Sequence, residues 1–197
     1  MFDKSQPPFD MTKLRPFLQL SILLVFACPL FADSPEFEMA GTLENLRINE
    51  ASGIQAGRNG LFFLHNDEKR DVFVIDATGR DQCAFKLDDA KSRDWEDITR
   101  VPGENGPLLV IADTGDNKNK RKDVELYFFA EPEAEDCSKD QESVHRLSVR
   151  YPDGPRDVES VAYDPVSESI LFLSKRNIPP RLYLSLIHIS EPTRPKR

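Results

Sequence analysis

Three short apolar runs recur along the chain: Leu61-Phe62-Phe63-Leu64, Leu108-Leu109-Val110-Ile111 and Ile170-Leu171-Phe172-Leu173. Each is entered from a polar or Gly/Pro-containing turn and left at a polar stop: His65-Asn66-Asp67, Ala112-Asp113-Thr114-Gly115-Asp116-Asn117 and Ser174-Lys175-Arg176-Asn177. Upstream of each lies an acidic cluster that ends in an aliphatic residue: Glu50-Ala51-Ser52-Gly53-Ile54, Asp94-Trp95-Glu96-Asp97-Ile98 and Asp157-Val158-Glu159-Ser160-Val161. A third element follows in each unit, at Asp71-Val72-Phe73-Val74-Ile75, at Val124-Glu125-Leu126-Tyr127-Phe128-Phe129 and at Arg181-Leu182-Tyr183. A fourth appears twice, at Cys83-Ala84-Phe85-Lys86-Leu87 and Val144-His145-Arg146-Leu147-Ser148-Val149.

Short β-branched and aromatic runs between Gly, Asn, Asp and Pro turns predict strands. Four strands per unit, at a period of roughly 40–50 residues, predict the blades of a β-propeller. The fold class expected is therefore all-β, a partial β-propeller of about three blades, with the third cut near Tyr183. The second unit carries extra length in an acidic loop from Glu131 to Gln141. Residues 33–49 are expected to supply a strand that closes a blade elsewhere in the ring. Rings of this kind close with about four to eight blades. Three blades do not close such a ring, and an open propeller exposes sheet edges that invite aggregation, so the chain as given is not expected to be a stable functional unit by itself.

Aligned on the aliphatic residue, the first position of each cluster is acidic (Glu50, Asp94, Asp157) and the third is Ser52, Glu96 or Glu159. In a propeller the innermost strand of each blade lines a central channel. Carboxylates entering that strand from several blades converge on one mouth, where they repel unless a cation or protons neutralise them. Hard oxygen ligands suit Ca²⁺ or Mg²⁺. The candidate metal ligands are Glu50, Asp94, Glu96, Asp97, Asp157 and Glu159. A second set, Asp113, Asp116 and Asn117, lies in the loop Asp-Thr-Gly-Asp-Asn, where Gly115 permits a sharp turn. That loop lacks the trailing Glu of an EF-hand. The competing role for all these acids is to cap strand ends and accept turn amides. Trp95 reads as core filling between blades. His65 is a general-base candidate if it faces the channel, and otherwise a turn histidine. His145 is assigned no role. No Gly-rich phosphate loop, serine-nucleophile elbow or zinc-helix motif is present.

The formal net charge of −8 adds an exclusion. A nucleic-acid binder is expected to carry a basic face, and this chain is acidic. The exception, Lys118-Asn119-Lys120-Arg121-Lys122, falls between two strands and reads as a solvated hairpin tip.

The two ends read as separate from the fold. Lys13 and Arg15 precede the apolar stretch Phe17–Ala27, and Ala32 is a small residue suited to cleavage before Asp33. Residues 1–32 are thus expected to be an extension and signal peptide, with Met11 as the start. This predicts an exported, periplasmic or extracellular protein without a stable membrane span after cleavage. Val25-Phe26-Ala27-Cys28 is a weaker match to a lipoprotein box. Residues 184–197, from Leu184-Ser185-Leu186-Ile187-His188-Ile189 through Arg194, resemble a translated sequencing-library adapter and are read as non-native. The central region is then 33–183. Its two cysteines, Cys83 and Cys137, can pair in an oxidising compartment, but sequence does not establish their approach.

Asp94-Trp95-Glu96-Asp97-Ile98, Asp113-Thr114-Gly115-Asp116-Asn117, Glu131-Pro132 after the Tyr127 strand, and Asp157-Val158-Glu159-Ser160-Val161 leading to Lys175 resemble a family of secreted bacterial β-propellers over about residues 47–183. That family is similar in outline to phytase-like and lactonase-like six-bladed propellers, in which channel carboxylates bind calcium. The resemblance implies a propeller, and the reading taken from the whole chain is one that is six-bladed when complete and binds a small molecule or a protein. A metal-dependent phosphoester or lactone hydrolase is the alternative. Fold alone does not carry function.

Overall fold

The computed structural model describes residues 37–186; the signal-peptide and Cys28 expectations lie outside it, as does the tail from residue 187 onward. The described residues are all-β, in three antiparallel sheets. The first sheet holds β1 (Ala51–Ala56), β2 (Leu61–Asn66), β3 (Asp71–Asp76) and β4 (Asp81–Lys86) in that order. The second holds β5 (Asp97–Val101), β6 (Leu108–Asp113), β7 (Val124–Ala130) and β8 (His145–Val149). The third holds β9 (Val158–Asp164), β10 (Ser169–Ser174) and β11 (Leu182–Leu186). Every expected strand of the three units is present. β11 runs on past Tyr183, pairing Leu184 with Leu171 and Leu186 with Ser169.

The sheets sit side by side through their first strands. β5 lies between β1 and β9, so one strand of each sheet belongs to a common inner row. Side chains tie the row together. Ser52 Oγ donates to the Glu96 carbonyl at 2.9 Å, and the Asp97 carboxylate accepts the Val161 amide at 2.8 Å.

Packing between the sheets explains the run-like apolar strands. A strand buried on both faces has no reason to alternate. In β6, Leu109 and Ile111 pack towards the first sheet, with Phe63, Val74, Phe85 and Trp95. The intervening Val110 and Ala112 pack towards the third, with Val158, Val161, Ile170 and Phe172. Trp95 is fully buried, as expected of core filling, and its indole donates to the Lys91 carbonyl at 2.9 Å.

The far face of the first sheet carries Leu64, Phe73 and Ile75, against which Ile48 packs. Here the expectation for residues 33–49 fails in its described part: residues 37–50 contain no strand. The end of this stretch lies against the sheet instead, with the Arg47 guanidinium over the Phe73 ring at 5.1 Å. Only Ile48 and Arg47 of this stretch meet the apolar face, while Phe37, Met39 and Leu46 stay exposed.

The acidic loop of the second unit has a place that its sequence does not reveal. It reaches back to the first sheet, where Gln141 pairs with Leu87 along the edge of β4. Gln141 donates its amide to the Lys86 carbonyl at 2.8 Å, and the Lys86 amide donates to Asp140 Oδ1 at 2.8 Å. An edge strand is covered in this way. The loop is held by a Cys83–Cys137 disulfide whose Cα atoms are 6.1 Å apart.

Candidate metal centre

The third position of each repeat sits where the inner strand departs from regular pairing. In β1 the register jumps between Ala51 and Gly53, leaving Ser52 as the extra residue. In β9 it jumps across Glu159, since Leu173 pairs with Ser160 and Ser174 with Val158. Glu96 directly precedes β5. A β-bulge re-aims the side chain it carries. Here it turns Glu159 towards the start of the neighbouring inner strand, where Glu96 stands.

Glu96, Asp157 and Glu159 converge, with carboxylate oxygens all within 4.8 Å of one another. Asp94 joins them across Gly115: a Cβ built on Gly115 would run into Glu96 Oε1 and Asp94 Oδ2. The φ of Gly115 is not positive, so the close approach of the carboxylates, rather than a sharp turn, calls for glycine. Asn117 stands at the rim, its amide reaching Asp94 Oδ2 at 3.4 Å and its Oδ1 accepting from Arg176.

Two cations answer part of this charge. Lys175 Nζ lies 2.9 Å from Glu159 Oε1, and Arg176 Nε 2.5 Å from Asp157 Oδ2. Glu96 is nine-tenths buried and accepts no hydrogen bond among the described residues. Its pKa is pushed up to about 8, chiefly by burial, then by the neighbouring charges of Glu159, Asp94 and Asp157. Burial also raises Asp94, against the pull of Asn117.

The remaining sequence candidates serve the scaffold. Asp97 spans two inner strands by accepting the amides of Ile98 and Val161, and its pKa is raised by burial. Asp113 is fully buried, pairs with Arg121 at 2.8 Å and accepts the Asp94 amide at 3.1 Å. Asn66 does the same for the Glu50 amide, at 3.2 Å, so the end of the second strand anchors the acidic position in two repeats. The Asp116 carboxylate accepts the amides of Lys120 and Arg121, and its own amide donates to Asp157 Oδ1 at 2.8 Å. Glu50 is exposed and lies outside the converging set.

His65 does not face open space. It is buried against Gly53 and the edge of Trp95, its Nδ1 lies 3.0 Å from the Asn66 carbonyl, and burial lowers its pKa. Within the basic run, Arg121 is not a solvated tip: it binds Asp113 and the Gly115 carbonyl and so fixes the loop beneath the carboxylates.

Arg176 was missed by sequence reasoning. Its signal was positional, since the polar stop after the second strand opens at the same end of the inner row in every repeat. The donor set fits a hard cation: it is all carboxylate oxygen, its carboxylates outnumber their cationic partners, and the absence of a side chain at Gly115 leaves the cradle open. No protein-family model matches the chain, and no curated protein does. Among the described residues no helix is long and apolar enough to cross a membrane.

Proposed function

We propose that the three sheets are consecutive blades of an exported β-propeller, and that the mouth of its channel binds Ca²⁺ or Mg²⁺ to hold a small-molecule or protein ligand. The blade reading is supported by the shared inner row of β1, β5 and β9, from which the other strands of each sheet follow outward in chain order. The observation that carries the cation is the convergence of Glu96, Asp157 and Glu159 around a buried carboxyl without a hydrogen-bond partner. Mutually repelling carboxylates at that separation are stabilised by a divalent ion. Ca²⁺ is favoured over Mg²⁺ because it tolerates an irregular oxygen shell completed by water. Arg176 and Lys175 then flank the ion, free to meet an anionic group on the ligand once their carboxylates turn to the metal.

Calorimetric titration of the full chain tests this. Uptake of one Ca²⁺, weakened by Glu96→Gln and by Glu159→Gln with the fold intact, supports the site. Absence of Ca²⁺ and Mg²⁺ uptake by the folded wild type removes it. A hydrolytic reading, in which the ion activates water against a phosphoester or lactone, uses the same residues. It is separated from binding alone by assaying turnover of both substrate classes in Ca²⁺.

A further inference from the structure

The Glu131-Pro132 pair that follows β7 has a place that the acidic centre does not use. The Glu131 side chain is 2% exposed and holds two arginines, Arg58 from the first sheet and Arg100 from the second. Its amide donates to the Pro107 carbonyl at 3.2 Å, which seats it beside the turn between β5 and β6. Arg58 is fully engaged: its Nη1 donates to Glu133 at 2.7 Å, its Nη2 to the Glu131 carbonyl at 2.9 Å, and its amide to Glu131 Oε1 at 2.5 Å. Arg100 is not. Its Nε donates to Glu131 Oε2 at 2.8 Å, and its Nη1 and Nη2 have no hydrogen-bond or ion-pair partner among the described residues. A planar guanidinium anchored at Nε on a buried carboxylate is held in place with its outer edge open.

Arg100 also lines a groove of about 830 Å³. The groove lies at the end of the inner strands remote from the acidic centre: Glu96 directly precedes β5 and Arg100 lies near its other end, while Glu159 opens β9 and Tyr163 lies near its close. All three sheets contribute to it, and its last lining residue in the chain is Pro165. Its apolar walls are Ala56, Val101, Pro102, Pro107, Tyr163 and Pro165. Among the described residues Arg100 is the one charged group that lines it, and this in a chain of formal net charge −8. Small-molecule sites have this volume and this make-up, apolar walls with few polar anchors.

We propose that this groove binds a small organic carboxylate, its oxygens paired with the free edge of Arg100 and its apolar body laid against Tyr163 and the prolines. The charge selects an anion, since no acidic side chain lines the groove to receive a cation. The guanidinium fork matches the two oxygens of a carboxylate. The walls decide between anions: a free phosphate has no apolar body to place on them and loses its hydration there. Glu131 is then a positioning residue, which holds the guanidinium ready without filling its outer edge. The site shares no residue with Glu96, Asp157 and Glu159, so it stands apart from the cation reading.

Titration of the full chain with benzoate tests this, in chelator and at constant ionic strength. The readout is the nuclear magnetic resonance of the Val101, Gly103 and Gly106 amides and of the Arg100 Nε–H. These should shift together and saturate. Benzamide, the uncharged counterpart, and inorganic phosphate should each bind more weakly by about tenfold or more, the first for want of the charge-assisted pair and the second for want of the apolar contact. Arg100→Lys keeps the charge and loses the fork; it should weaken benzoate by about tenfold with the circular dichroism of the wild type. Should that variant unfold, the comparison of benzoate with benzamide and phosphate in the wild type decides the matter. No saturable shift with benzoate, equal binding of benzamide or phosphate, or a folded Arg100→Lys variant that binds benzoate as the wild type does would each overturn the proposal.

Discussion

Lys175 Nζ lies 2.9 Å from Glu159 Oε1, while Glu96, facing the same carboxylate, has no cation of its own in hydrogen-bonding contact. The pair is partly exposed, so its own energy is small. Its effect on the centre is larger, because Lys175 competes with any metal for Glu159. Replacing Lys175 by Gln should raise Ca²⁺ affinity by about threefold to tenfold, roughly 1 kcal/mol of removed competition. Equilibrium titration with Ca²⁺ reads this directly, and an unchanged or lowered affinity would show that Lys175 helps to hold the site.

Glu96 sets a pH dependence. Its pKa rises from the ordinary value of 4.5 to about 8 on folding. The protonated form is therefore the one the fold prefers. The stability this contributes is fully present below pH 4.5 and is lost as pH rises through about 8. In chelator, Glu96→Gln should leave stability near pH 4 unchanged and raise it above pH 8 by about 2 kcal/mol. That figure takes about 1.4 kcal/mol per pH unit and reduces it for solvent screening. Urea melts across the window check the sign, and a variant less stable than wild type at high pH would contradict it.

Gly115 couples stability to binding. The atoms a Cβ would meet are the far end of Glu96 and the carboxyl group of Asp94, its Cγ included, so both side chains must shift. Gly115→Ala should thus cost the fold about 1–3 kcal/mol and lower Ca²⁺ affinity by roughly tenfold or more, about 1.4 kcal/mol, because the displaced groups are the ligands. A large loss of stability with normal affinity would assign the glycine to the backbone alone.

The Cys83–Cys137 bridge closes a sequence separation of 54 residues and ties the Gln141 segment to the β4 edge. Loop-closure entropy assigns a bridge of this span about 4 kcal/mol, with typical measured values of about 2–4 kcal/mol. Cys83→Ser with Cys137→Ser should lower stability by that amount. A reductant should lower the denaturation midpoint of the wild type to that of the double variant. If reductant leaves the wild-type midpoint unmoved, the bridge does not contribute.

The strands and their grouping into three sheets were legible in the sequence because each sheet repeats one local pattern: an acidic lead, an inner strand, a turn and an apolar run. Local pattern dictates pairing between neighbours in the chain. The identity of the converging carboxylates was legible only in part. Glu96, Asp157 and Glu159 converged, with Asp94 beside Glu96 at Gly115, whereas Asp97, Asp113 and Asp116 were drawn into amide and arginine contacts. All of these are acids beside strand ends, and a carboxylate's role depends on what lies across from it.

What the sequence by itself determined is the all-β class, the strand positions, and the placing of an acidic cluster at the start of each inner strand. Periodicity and turn chemistry act over a few residues, so they can be read without coordinates. Only the tertiary structure decided that Ser52 and Glu159 occupy bulges, that Arg176 reaches Asp157, that Cys137 reaches Cys83, and that Ile48 packs on a sheet face instead of joining a sheet. Each of these depends on distances between segments remote in the chain. Those distances follow from how the apolar faces stack, which sequence spacing does not record.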